Sequence, residues 1–368
     1  MDDSGIGLDE LREAIRQVLD ERLQTQGDAI PDEDGRPLDR DLWRQMAGLG
    51  WLALGVAEEH GGLGQGFAHA AVLHEELGRA LASVPSLTTL LAADAIALAG
   101  SAEQKARWLP AIAAGELMAG IALPPPGGAP APVQADGLIV RDMPFADAVD
   151  LFLLPVAAAD GGVALALVEA AGASVTRRRT VDLTRSMGEV RVDAATLAAA
   201  DRIALDPAML DRLRDRAAVA LASDAIGGAA AVLERTVDYL CVREQFGRPI
   251  GSFQALKHRA ASWKVLLEAA TALVRHAADA VGTGEADASV LASSAKYYAC
   301  DVYAATAADA IQLHGGIGFT WEHACHLFLK RAKLNQLLFG SSSLHKDRVA
   351  GLAFTSFAPD ATAPEPTV

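Results

Sequence analysis

Cysteine is scarce in this chain, and the three present, Cys241, Cys300 and Cys325, are too widely separated to form a CxxC pair or a disulfide framework. They read as small core residues in a reducing compartment. His323 and His326 flank Cys325 at i, i+3 spacing, but no second ligand pair accompanies them, so no metal is expected and these read as helix-surface or interface histidines. Aromatic residues make up only 5% of the chain, against 51% apolar residues overall, dominated by Ala and Leu. That balance disfavours a large β-sandwich and favours helices, because Ala and Leu lose little entropy on entering one. Positive charge is also short: the formal net charge is -15. A nucleic-acid surface needs clustered Lys and Arg, so no nucleic-acid partner is expected. Uninterrupted apolar runs are missing too. The stretch 80–98 is broken by Ser, Pro, Thr and Asp, and no membrane span is expected. Met1-Asp2-Asp3 is acidic with no apolar region after it, which implies no signal peptide and a cytoplasmic enzyme.

With 368 residues, and about 150 per domain as a guide, two or three packed units are expected. Leu8, Leu11, Ile15, Val18, Leu19 and Leu23 recur at helical spacing, and Leu42, Met46 and Leu49 repeat the pattern after a polar stretch at 27–35. Glycines in EEHGGLG (58–64) break the helix. Ala/Leu-rich helices are predicted at 67–81 and 86–99, and Ser101 with Gln104 forms a capping box for another. Periodicity changes after Gly120: 124–128 is Pro/Gly-rich, and 137–141, 151–156 and 163–168 are short apolar runs that read as strands. Helical spacing returns near Ala208 and runs to about Gly351, broken at 247–251, 282–284 and 315–318. The expected organisation is a mostly α protein with a small β-domain: an N-terminal helical domain (1–120), a middle β-barrel-like domain (121–205), a C-terminal four-helix bundle (206–357) and a disordered Pro/Ala/Thr-rich tail (358–368).

Two helix breaks carry chemistry. In REQFGRPIGSFQ (243–254), an arginine is placed to pair with a pyrophosphate and a phenylalanine to pack on an adenine or ribityl chain, although an isolated Arg there also serves simply to complement the helix dipole. In QLHGGIGFT (312–320), paired glycines let backbone amides approach a ligand closely, and equally suit a helix C-cap.

Together with EEHGGLG and Lys330-Arg331-Ala332-Lys333, these segments make the chain resemble the acyl-CoA dehydrogenase family over nearly its whole length. The resemblance implies FAD as cofactor, an acyl-CoA substrate oxidised to the 2,3-enoyl-CoA, a dimer or tetramer, and an electron-transfer flavoprotein as acceptor. It assigns Arg243, Gln245, Phe246 and Gln254 to the diphosphate and adenine end of FAD, and Gln312, Gly315 and Gly316 to its other side, much of this grip falling on a flavin held by a neighbouring subunit.

The same resemblance exposes what is missing. Removing the proton α to a thioester requires a base. The family's usual glutamate position falls in 338–342, where the residue is Phe339, and the alternate position falls on Ala217. Asp215 lies close enough to the second to be a displaced base, the other reading being a solvated helix start. The family's flavin-contacting loop is replaced by Leu123-Pro124-Pro125-Pro126-Gly127-Gly128-Ala129, and the strand that supplies a Trp and a hydroxyl is shortened to Arg141-Asp142-Met143-Pro144-Phe145-Ala146-Asp147. Groups expected to act across an interface remain, whereas those that act within the subunit are lost. Some bacterial members attributed to steroid side-chain degradation are α2β2 heterotetramers in which one subunit type carries the base, and this chain resembles the other type. The expectation is therefore a subunit without its own catalytic base, completing the FAD site of a paralogous partner in fatty-acid or steroid side-chain catabolism. A self-sufficient homo-oligomer using Asp215, a flavin monooxygenase and a scaffold without flavin contact stay as alternatives.

Overall fold

The computed structural model describes residues 6–26, 35, 38–130, 132–134, 136–158 and 160–356; the tail expected at 358–368 lies outside them, as does most of the 27–35 stretch. Helices come first: α1 (Leu8–Gln26), α2 (Arg40–Gly48), α3 (Phe67–Arg79), α4 (Ser86–Ala99) and α5 (Ala102–Ala113). Two of them open on side-chain caps. Asp39 caps α2 by accepting from the Leu42 N–H, and the Ser101/Gln104 capping box opens α5. The EEHGGLG stretch folds as a single 3-10 turn ended by Gly61 at φ 79°.

Short strands follow: β1 (Ala119–Ile121), β2 (Leu138–Pro144), β3 (Leu151–Ala157), β4 (Val163–Glu169), β5 (Ser174–Arg178), β6 (Met187–Val192), helix α6 (Ala194–Ala199) and β7 (Asp201–Leu205). They form a four-stranded sheet, β1-β3-β4-β7, and a three-stranded sheet, β2-β6-β5. Strand β3 is buried at six of its seven positions, which is why it reads as an unbroken apolar run rather than an alternating one.

The remainder is helical: α7 (Pro207–Val242), α8 (Gln254–Thr283), α9 (Ala288–His314), α10 (Cys325–Leu337) and α11 (Ser342–Ser356), with a two-residue hairpin pair, β8 (Glu244–Gln245) and β9 (Arg248–Pro249), between α7 and α8. Helix α7 is long and apolar enough to cross a membrane, but 89% of its apolar window is buried inside the protein, where it packs on α3, α8 and α9. Close approach of α3 and α7 depends on two glycines. A Cβ on Gly78 would stand 2.2 Å from the Asp224 carbonyl oxygen, and one on Gly227 would stand 1.8 Å from that of Glu75. Of the cysteines expected in the core, Cys300 and Cys325 are buried, whereas Cys241 is exposed near the end of α7.

Candidate functional site

Phe339 and the two middle-domain segments singled out in the sequence, 123–129 and 141–147, line one cavity. Its volume is about 240 Å³, and its walls come from the end of β1 and the loop after it (Leu123, Pro125), from β2 (Arg141, Asp142, Pro144) and from the end of α10 (Leu338, Phe339, Gly340). Strand β2 contributes through a β-bulge: its pairing with β6 shifts register between Val140 and Met143, with Asp142 in the left-handed region at φ 57°. After α10 the chain turns sharply, with Phe339 at φ 53° and Gly340 at φ 113°. A left-handed conformation costs a bulky residue about 1–2 kcal/mol. The surroundings hold it in place: the His345 ring donates from Nε2 to the Phe339 carbonyl (3.2 Å), and the buried Lys296 Nζ donates to the carbonyls of Asn335 (2.6 Å) and Gly340 (3.3 Å). The backbone turn that presents a side chain at this position is thus firmly built, and the side chain it presents is an apolar ring packed on the core shared with Ala217.

Asp215 does not line this cavity. Instead of a solvated helix start, it lies buried within α7, where it accepts from Arg348 Nη1 (2.5 Å) and Ser289 Oγ (2.5 Å). Burial pushes its pKa up, against the pull of Arg348. Both oxygens are committed to anchoring α11 and α9 on α7. Asp142, by contrast, is exposed and sits in the cavity wall, a position that no helical or strand periodicity singles out.

Leu338 and Pro144 of this cavity also line a second one with Arg185, Asp224 and Arg331, members of a buried ionic network. Asp224 accepts from Arg185 (2.9 Å), Arg331 (2.8 Å) and Asn335 (2.6 Å), and Arg331 also donates to Thr184 Oγ1 (2.8 Å). Burial alone would raise the Asp224 pKa, but Arg185 and Arg331 outweigh it and hold the carboxyl well below the usual range. Burial and the neighbouring Arg331 push Arg185 down to about 10. This network joins the sheet domain to α7 and α10, and gives Arg331 of the KRAK run a structural position. Losing one partner of such a group strands the others as buried charges.

The second set of sequence-flagged residues gathers at one end of the helical bundle. Tyr239, one turn before the end of α7, stacks on His314 at the end of α9, with ring centroids 4.4 Å apart, so the breaks after α7 and α9 are neighbours in space. Arg243, Gln245, Phe246, Gln254, Gln312, Gly315 and Gly316 are all exposed. Phe246 is 90% exposed and held at φ 59°, its ring edge-on to Phe253, over which Arg248 also lies. Gly315 takes φ 66°, and a Cβ on either glycine of the pair would meet open space. Close by in sequence, Phe319 is 77% and Trp321 55% exposed. Phe246, Phe319 and Trp321 thus leave three large rings exposed beside these breaks.

A flavin fits these two regions unequally. The cavity is smaller than the roughly 300–1,000 Å³ of ordinary ligand pockets and has no hydroxyl side chain in its walls. It does not fit a complete FAD. The exposed end of the bundle offers an arginine, three glutamines and open glycine backbone, which suit one side of an extended diphosphate ligand.

This is the architecture of acyl-CoA dehydrogenases, and the chain belongs to that family: residues 8–116 match the acyl-CoA dehydrogenase N-terminal domain and residues 210–352 the C-terminal domain. It is therefore of a family of flavoprotein oxidoreductases. Among curated relatives, it is 33% identical to the acyl-CoA dehydrogenase IpdE2 of Mycolicibacterium smegmatis (90% of this chain, 93% of that protein) and 36% identical to IpdE2 of Mycobacterium tuberculosis (88% and 89%). Among solved structures, the Tcur3481-Tcur3483 steroid acyl-CoA dehydrogenase G363A variant superposes with a TM-score of 0.84 at 31% identity (95% of this chain, 99% of that one). The ChsE4-ChsE5 complex from Mycobacterium tuberculosis gives 0.83 at 27% (98% and 100%).

Proposed function

We propose that this chain is the subunit without a catalytic base in a heteromeric FAD-dependent acyl-CoA dehydrogenase, and that it completes the flavin site of a paralogous, glutamate-bearing partner. The observation that carries this reading is the contrast between the two regions. At Phe339 the turn is intact but the base is gone, whereas the Arg243 and Gly315 end of the bundle keeps its polar groups and leaves them uncovered. In the assembled enzyme, Arg243, Gln245, Phe246 and Gln254 contact the diphosphate and adenine end of a shared FAD, and Gln312, Gly315 and Gly316 its other side. The likeness to a steroid acyl-CoA dehydrogenase and to the ChsE4-ChsE5 complex supports a steroid-derived acyl-CoA as substrate of the assembly. Electrons leave through an electron-transfer flavoprotein.

Substitution separates this reading from its rivals. A charge-assisted contact to phosphate contributes about 1.5–3 kcal/mol, so Arg243→Ala is expected to weaken FAD retention in the assembled complex by roughly 10- to 100-fold. Unchanged retention would favour a scaffold without flavin contact. Asp215→Asn is expected to lower stability and leave turnover per folded complex intact; abolished turnover with FAD still bound would establish a displaced base instead.

A further inference from the structure

The turn between α9 and α10 brings His314 beside Cys325 and its sequence neighbour His323. Cys325 opens α10 with its thiol buried (1% exposed), and His314, eleven positions earlier at the end of α9, is buried beside it (3% exposed). His323 completes the group, with its ring 4.5 Å from that of His314 between centroids. One ligand-capable atom from each of the three lies within 4.8 Å of the others.

The tautomer of His314 is set by its surroundings. Its Nδ1 stands 2.8 Å from the Ala310 carbonyl and donates to it, which leaves the lone pair on Nε2. The Cys325 sulfur stands 3.7 Å from that Nε2 and 3.5 Å from Nδ1, beside the ring edge between them. A tetrahedral zinc ion, with a Zn–S bond of about 2.3 Å and a Zn–N bond of about 2.0 Å, holds its sulfur and nitrogen ligands roughly 3.5 Å apart, so ligation keeps this separation but requires the Cys325 sulfur to swing from the ring edge towards the Nε2 lone pair. His326 takes no part. Both of its ring nitrogens lack a hydrogen-bond partner, and the ring packs edge-on against Trp321.

We propose that Cys325, His314 and His323 form a binding site for a thiolate- and imidazole-preferring divalent metal, zinc being the best match, with the fourth position open on the partly exposed His323 side. One thiolate and two imidazoles suit zinc over the hard cations magnesium and calcium, which take oxygen ligands. On binding, the Cys325 thiol gives up its proton to solvent as the S–metal bond forms. Because the ligands sit on either side of the 3-10 turn Gly315–Phe319, the ion fastens that turn, with its exposed Phe319, to the start of α10.

Cobalt(II) provides a spectroscopic substitute for zinc, and a Cys241→Ser background removes the exposed thiol from the measurement. The metal-stripped full chain is expected to bind one cobalt ion, with tetrahedral d–d bands and a sulfur-to-cobalt charge-transfer band. Added zinc should displace it. Cys325→Ser should abolish the charge-transfer band, and His323→Gln, at a partly exposed position that tolerates exchange, should weaken binding by more than about tenfold. A folded chain that shows no charge-transfer band, or a His323→Gln variant that binds cobalt as tightly as its parent, would overturn the proposal.

Discussion

His74 and His345 are buried inside the protein, and for both, desolvation of the imidazolium is the largest cause of a pKa lowered to about 4. Asp224 opposes that shift at His74, and Lys296 adds to it at His345. An unfolded histidine titrates near 6.5, so between about pH 4 and 6.5 the unfolded chain binds protons that the folded one refuses. Stability from these groups is complete above pH 6.5 and declines as pH falls towards 4, by about 3 kcal/mol for each histidine. Thermal melts between pH 7 and 5 should show the decline, and His74→Gln should remove its share. A melting temperature with the same pH dependence in the variant and the parent would contradict this assignment. These residues were not legible in advance. A histidine's burial depends on which helices cover it, and His74 lies on α3 facing Asp224 and Arg185, far away in the chain. For the same reason the Asp224 network is not legible in the sequence, although Arg331 falls in the 330–333 segment that carries the family resemblance.

Elements were read well where a local cause acts. Ser86–Ala99 and the Ser101 cap were legible because periodicity and capping operate within a few residues, and β3 and β4 because buried strands are continuous apolar runs. Strand β5, exposed at four of five positions, carries no such signature; pairing with β6 makes it a strand, and its partner lies beyond any local window. The bulge that places Asp142 in the cavity wall is also a product of pairing. At this scale the α3/α7 contact gives a sharp prediction. Gly227→Ala drives a Cβ into the Glu75 carbonyl and should cost about 3 kcal/mol or more, whereas Gly48→Ala, at the end of α2 where nothing lies within 4 Å, should be neutral or stabilise by up to about 1 kcal/mol. Denaturant midpoints of the two variants check both. Equal effects would mean that the helices do not approach as closely as described.

At the scale of the whole molecule, the chain keeps the family fold, with Phe339 at one candidate region and the exposed Arg243, Gln312 and Gly315 at the other. Sequence spacing identified the breaks after α7 and α9 but could not show that Tyr239 and His314 place them side by side, nor that large rings there stand uncovered. It located Phe339 but not the turn that still presents it, held by His345 and Lys296. Phe246, Phe319 and Trp321 are exposed, and the cavity beside Phe339 measures about 240 Å³, the two observations on which the proposed sharing of one flavin rests. The most direct measurement is flavin content. The chain is purified alone and co-expressed with a family member that has the catalytic glutamate, and FAD is counted against native mass. The account predicts a colourless isolated chain and one FAD per pair of chains in the complex; one FAD per chain in the isolated protein, with dehydrogenase activity, would contradict it.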